Sequence, residues 1–230
     1  MLLKVGSVAT LLGDSLPVPY PTPILRFIHV DNLHIYLQRG GLHAPNHTLF
    51  DGLRYKTIHN MTVQEKRQMK QIPCGGRGVV HDYVPFYFGY LSPMMLNLKT
   101  GRVPGYNEGQ EPLIYLVTIC QAVQDSGTGF VLTDGHCLTT FTDWFDDLAY
   151  LDRVDWRVVY KRYWADNIND MDQQRRKQAE FLVHQFCAWE LVQEIVVINE
   201  VMKTRVEQIM ATFPTGQKRI VRIRQDRYYY

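Results

Sequence analysis

The chain has 230 residues, within the range of one globular domain, and 46% hydrophobic against 21% charged residues excludes global disorder. A net charge of only +2 provides no overall basic field, so any nucleic-acid binding must come from local patches. Aromatic residues reach 12%, with 14 tyrosines, which suits either a large core or surfaces on which bases stack.

In chain order, residues 1–13 resemble a weak signal peptide, but Lys4, Gly6 and Ser7 break the apolar run and no small-residue cleavage site follows. No run approaches the roughly 20 apolar residues of a membrane span, so a cytoplasmic protein is expected. Residues 17–23 are Pro-rich and read as an extended lead-in. Residues 25–30 have strand composition, Asp31 and Asn32 can cap a helix over 33–39, and Gly40 with Gly41 stops it. This unit brings Arg26, His29 and Asn32 to one loop end. On the residues alone, the plainer reading of His29 is a structural imidazole bonded to backbone.

Residues 42–60 read as a loop whose histidines, His43, His47 and His59, match no metal-site spacing. Residues 61–71 predict a short polar helix in which Thr62 and Glu65 fit a capping box. Its Lys66, Arg67 and Lys70 share one surface region, either a solvated face or one that contacts phosphate. The glycines of 75–78 do not form GxGxxG after a strand, so a dinucleotide-binding Rossmann unit is excluded. HDYVPFYF (81–88) reads as an aromatic strand, and Pro85 in its middle predicts an edge position or a bulge. Tyr83 and Tyr87 serve either the core or a clamp for a flat heterocycle.

Ser92 and Pro93 open a helix, and residues 113–119 and 129–134 read as strands, the second ending in a polar corner with His136. A helix is expected over 142–150 with Trp144 and Phe145 facing inward, and 165–178 reads as a loop. Strands at 194–198 and 219–224 flank a helix at 201–210. Without a βαβ rhythm the fold class is α+β. Cys74, Cys120, Cys137 and Cys187 include no CxxC pair and read as free thiols.

The chain is organised around residues 173–184, QQRRKQAEFLVH, where a basic run stops at Glu180 and a strand-like run begins. Alternation puts Phe181 and Val183 on one face and Glu180, Leu182 and His184 on the other. A carboxylate at a strand mouth beside a cationic loop suits chemistry on a charged substrate. A solvated Glu at a strand edge is the bland alternative.

Taken together, RFIHVDNL (26–33), QRGGL (38–42), HDYVPFYF, SPM (92–94), GQEP (109–112) and KQAEFLV (177–183) resemble the DarT family of DNA ADP-ribosyltransferase toxins. The resemblance covers a single domain over residues 21–230, with 1–20 an extension outside it. It implies an ADP-ribosyltransferase-like split mixed sheet with surrounding helices and a bacterial toxin that transfers ADP-ribose from NAD to a base, typically thymidine, in single-stranded DNA. It also implies a DarG antitoxin partner whose macrodomain removes the modification, and NAD as co-substrate without a metal. By position, Glu180 matches the catalytic glutamate, Arg67 the active-site arginine and His136 a histidine near the target base. His29 and Asn32 fall in the first NAD-binding segment, and Tyr87 is expected to contact NAD. Arg26-Phe27-Ile28 stands where the family has His-x-Thr, so Arg26 is expected to take over contacts to the adenosine ribose.

The residue types suit that chemistry. Losing nicotinamide develops an oxocarbenium-like cation, which a fixed carboxylate at Glu180 stabilises. The amide of Gln178 suits a neutral base edge better than a cationic acceptor. Arg175, Arg176 and Lys177 are expected on the DNA backbone, with Tyr163 and Trp164 stacking on bases. The proton leaving the acceptor base could pass to Glu180, to His136 or through Arg67. The alternatives are transfer to another base, to RNA or to a protein side chain, or a nucleic-acid-binding module without catalysis.

Overall fold

The apolar runs pair into an eight-stranded sheet in the computed structural model, which describes residues 16–230. The signal-peptide-like run at 1–13 lies outside the described residues. In chain order the strands are β1 (Pro23–His29), β2 (Gly41–His43), β3 (Tyr83–Tyr87), β4 (Leu113–Ile119), β5 (Phe130–Thr133), β6 (Trp144–Phe145), β7 (Glu180–His184), β8 (Phe186–Ala188), β9 (Glu194–Val197) and β10 (Ile220–Ile223). The helices are α1 (Leu33–Gln38), α2 (Met61–Met69), α3 (Pro93–Lys99), α4 (Cys120–Asp125), α5 (Trp156–Tyr160), α6 (Gln173–Lys177) and α7 (Glu200–Ala211).

The sheet runs β10-β9-β4-β1-β3-β7-β5-β6, with β2 and β8 paired separately. Neighbours are antiparallel except β9 and β10, which makes the sheet mixed and the class α+β. The sheet is split at its centre. β1 pairs with β4 along its whole length and β3 with β7 along its whole length, yet β1 and β3 meet only at Leu25 and Tyr87. Pro85 lies in this central strand, where an edge or bulge was expected. It is tolerated because β3 parts from β1 there, so its missing N–H breaks no ladder bond. Its carbonyl accepts instead from the Arg26 guanidinium across the split, at 2.9 Å.

Alternation along β7 holds. Phe181 and Val183 join the main core with Phe86, Phe88, Leu116 and Trp189, while Leu182 packs on the other face with Tyr83, Val131 and Cys137. Several local expectations fail: the Asn32 side chain does not cap α1, the 165–178 loop holds α6, and the 42–60 loop begins within β2. Residues 142–150 form no α-helix: Trp144 and Phe145 add to the edge of β5, opposite Thr133 and Leu132, and 148–153 make a 3₁₀ stretch capped by Asp147. An open strand edge offered hydrogen bonds that a two-residue aromatic pattern could not reveal. On α2, Asn60 rather than the Thr62/Glu65 pair supplies the cap, accepting from the Val63 amide at 3.3 Å.

Gly40 and Gly41 stop α1 as expected, and Gly41 then starts β2 at φ +155°. A Cβ there would collide with the Cys187 carbonyl oxygen and the Phe186 ring. Gly41→Ala is therefore expected to lose on the order of 1–3 kcal/mol of stability through strain in the β2–β8 pair, read as a lower urea midpoint at unchanged slope.

Candidate active site

Glu180 opens β7 directly opposite Tyr87 of β3, beside the split. Its backbone amide donates to Thr133 Oγ1 at 3.1 Å, and that hydroxyl donates to the Gly135 carbonyl at 2.7 Å, which ties the end of β5 to the start of β7. Arg67 is the one buried residue of α2. It does not share a solvated face with Lys66, as expected, but turns inward and grips Glu180 with both ends of its guanidinium. Nη1 donates to Oε1 at 3.1 Å and Nη2 to Oε2 at 2.8 Å. Nη1 also reaches Cys137 Sγ at 3.1 Å, and the Cys137 amide donates to Oε1 at 3.3 Å. A carboxylate offers about four acceptor positions, so this arrangement leaves one open, on Oε2.

The electrostatics follow from burial and pairing. Burial pushes the Glu180 carboxyl up, but the Arg67 charge and its bidentate bond outweigh that and hold it below its ordinary value. Burial opposes the Arg67 charge, and the adjacent Glu180 raises its pKa regardless, so the guanidinium stays protonated. Burial lowers His136, helped by Arg67 and opposed by Glu180. Burial and the Glu180 charge push the Tyr87 phenol up.

These groups line one cleft of about 760 Å³, a size suited to a dinucleotide-like ligand. Arg26, Asn32, Arg67, Tyr87, His136, Gln178 and Glu180 all reach its wall. Tyr87 is half-buried and parallel to Phe27, with ring centroids 6.2 Å apart, so it presents a flat aromatic surface. Asn32 uses its amide to build the wall: it donates to the Lys56 carbonyl at 2.9 Å and accepts the Lys56 amide at 2.7 Å.

His29 is a correction. Its ring is fully buried and does not line the cleft. Nδ1 accepts the Asp31 amide at 3.1 Å and Nε2 meets Glu108 at 3.3 Å, so it caps the turn after β1. The cationic run is a second correction. Lys177 is buried, donating to the carbonyls of Val159 and Lys161, and burial lowers it to about 7. Arg176 pairs with Asp155, Asp170 and Asp172, and Arg175 with Asp134 and Asp172. None of the three offers a free cation to a phosphate. Trp164 is also engaged, donating to the Tyr229 hydroxyl at 2.8 Å, whereas Tyr163 is exposed. The sequence reading missed Thr133 and Cys137. Both act through groups, a hydroxyl and a backbone amide, that carry no motif, and adjacency to His136 was the only signal for Cys137.

A buried ion pair is costly to break from one side, because the survivor is left charged and unpaired. Arg67→Met is therefore expected to lose about 3–5 kcal/mol in urea unfolding, and the double variant Arg67→Met/Glu180→Leu less than either single change. Additive losses would show that the two side chains do not stabilise the fold as a pair.

The chain matches known proteins over nearly its whole length. The family model described as "ssDNA thymidine ADP-ribosyltransferase, DarT" matches residues 25–230. The DNA ADP-ribosyl transferase of Thermus sp. (strain 2.9) is 38% identical over 211 residues, covering 92% of this chain and 98% of that protein. Thermus sp. 2.9 DarT in complex with ADP-ribosylated ssDNA superposes with a TM-score of 0.88 at 36% identity, over 94% of this chain and 100% of that one. The same protein in complex with NAD+ gives a TM-score of 0.83 at 36% identity, over 93% and 100%. With a family match across residues 25–230, the chain belongs to the DarT family of ssDNA thymidine ADP-ribosyltransferases.

Proposed function

We propose that the Glu180–Arg67 cleft binds NAD and transfers its ADP-ribose to thymidine in single-stranded DNA, with release of nicotinamide. The observation that carries this reading is the bidentate Arg67–Glu180 pair, which fixes an ionised carboxylate in the wall of a dinucleotide-sized cleft at the split of the sheet. The activity of the family and the NAD+ complex of the Thermus relative support it.

Tyr87 offers its ring to the nicotinamide, and Arg26 lies at the wall for the polar part of the dinucleotide. As the glycosidic bond breaks, the electron pair leaves with nicotinamide and positive charge develops on the ribose. The Glu180 charge stabilises that cation through space, in a site already organised before reaction. In thymidine one ring nitrogen is bonded to the sugar, so the imide nitrogen is the ring nitrogen left to form the new bond, and it must lose a proton.

Arg67 stays protonated and cannot accept that proton. His136 Nδ1 accepts the Leu138 amide at 3.4 Å, which leaves the hydrogen of the neutral ring on Nε2. The ring thus offers a donor to a carbonyl of the base, and the open position on Glu180 Oε2 takes the proton. Gln178, in the same wall, supplies a second neutral hydrogen-bonding edge.

Residues 21–230 form the transferase domain in this reading, with 1–20 as an extension. The reading also brings a DarG-type macrodomain antitoxin as partner and a cytoplasmic setting for a toxin that acts on DNA. Among the described residues no helix is long and apolar enough to cross a membrane.

Incubation with NAD and a randomised oligonucleotide pool should release nicotinamide and add the mass of ADP-ribose to thymidine-containing DNA. Matched RNA, presented alongside, should stay unmodified. Glu180→Gln should lower the transfer rate by at least roughly 10²-fold, the scale seen when one preorganised electrostatic group is removed. Undiminished transfer by that variant would reject the assignment.

The pH dependence follows from the same groups. Glu180 lies below its ordinary carboxylate value and stays ionised above pH 5, so an acid limb in that range belongs to a histidine of the cleft wall, where His136 feels the Glu180 charge and His59 and His81 also stand. Protonating His136 removes its Nδ1 acceptor and adds positive charge beside the developing cation. Transfer should therefore be full near pH 8 and fall as the pH drops below 6.5, where the imidazole gains its proton. An acid limb that persists unchanged in His136→Gln in single-turnover assays would show that His136 does not set it.

A further inference from the structure

The Asp134–Asp143 turn carries His136 and the Cys137 amide to Glu180, and Arg175 is bonded to it at several points. The guanidinium donates from Nε and Nη2 to the two Asp172 oxygens at 2.7 and 2.8 Å. Its Nη1 donates to Asp134 Oδ1 at 2.9 Å and reaches Thr142 Oγ1 at 3.4 Å. Asp134 Oδ1 also accepts the Asp143 amide at 2.9 Å, which closes the turn.

The backbone of His136 is held from both sides. Its amide donates to the Arg175 carbonyl at 3.0 Å, and its carbonyl accepts from Thr142 Oγ1 at 2.8 Å. Between Asp134 and His136, Gly135 lies so close to the Arg175 side chain that a Cβ would overlap the guanidinium. One residue further on, the Cys137 amide bonds Glu180 Oε1. A shift of this turn would thus move the imidazole and loosen a donor to the carboxylate together.

We propose that Arg175 is a positioning residue for His136 and the Cys137 amide, and that it makes no phosphate contact with the DNA. The inference rests on the reading of His136 at the target base, but it makes a separate structural claim. All three guanidinium nitrogens are engaged and the side chain is 14% exposed. The neighbouring Arg176 is likewise bonded to Asp155 and Asp170, so the basic run of α6 is neutralised by acidic side chains from its flanks. A lysine cannot replace this fork, because one ammonium cannot span Asp172 and Asp134 in the same planar geometry.

The test compares Arg175→Ala and Arg175→Lys with the parent enzyme, with folding checked by thermal melting. In single-turnover transfer to a thymidine oligonucleotide, both variants should lose at least about tenfold in rate. The salt dependence of oligonucleotide binding should keep its slope, since no phosphate contact has been removed. The double variant Arg175→Ala/His136→Ala should lose less than the product of the two single losses, as expected when part of the effect of one group passes through the other. Thr142→Val, which removes the link to the His136 carbonyl and the 3.4 Å contact with Arg175 Nη1, carries the positioning test should Arg175→Ala fail to fold.

A weaker salt slope, by about one ion, with an unchanged rate would overturn the proposal in favour of a phosphate contact. Full activity of His136→Ala would instead sink the role of His136. The positioning claim would then be decided by the NMR titration of the His136 ring in Arg175→Ala: a displaced ring signal and altered titration support it, and an unaltered one refutes it.

Discussion

The bidentate ion pair between Arg67 and Glu180 is the constraint on which the site depends. Two buried charges recover their desolvation only with good geometry and further hydrogen bonds, and here the Cys137 amide and thiol supply those on either partner. The pair joins α2, which otherwise presents polar side chains and the two end methionines, Met61 and Met69, to solvent, to the first residue of a central strand. This contact thereby fixes one wall of the cleft. It also keeps the carboxylate ionised in a place where burial alone would protonate it.

The cleft exists because the sheet separates between β1 and β3, and the strand chemistry allows that separation. Pro85 cannot donate, Arg26 spans the gap to its carbonyl, and the single register point at Leu25 and Tyr87 leaves room beyond it. A continuous ladder would close that opening. The opposite wall depends on Asn32, whose side chain clamps the backbone of Lys56, while Lys56 also pairs with Glu108 and Asp31. His29 belongs to this brace, between Asp31 and Glu108. The segment that resembles an NAD-binding motif therefore acts in two ways: Arg26 and Asn32 reach the cleft, and His29 holds the turn that places them.

Charge around α6 is balanced rather than accumulated. Arg175 and Arg176 are met by Asp134, Asp155, Asp170 and Asp172, and Lys177 is enclosed by backbone carbonyls. The surface offered there includes the exposed Tyr163, Ile168, Met171 and Phe141, and the polar Gln174 and Gln178 of the cleft wall. Recognition of a single strand on such a surface would draw on stacking and neutral hydrogen bonds more than on phosphate neutralisation.

From the sequence by itself came the α+β class, β1 with the short helix after it, the α3 start at Ser92 and Pro93, and the alternation of β7, while the family resemblance singled out Glu180, Arg67 and His136, which line one cleft. The elements rest on local chemistry, a period of two or a serine and proline at a first turn, and the site residues rest on motifs shared with the family. Only the tertiary structure decided that Arg67 is buried and meets Glu180 from 113 residues away, that Pro85 stands at the centre of the sheet and that Lys177 is enclosed. It also decided that Arg175 and Arg176 already have acidic partners. The reason is common to all of these. Whether a charged side chain is free, paired or buried is set by residues distant in sequence, and a basic run reads the same in every one of those states.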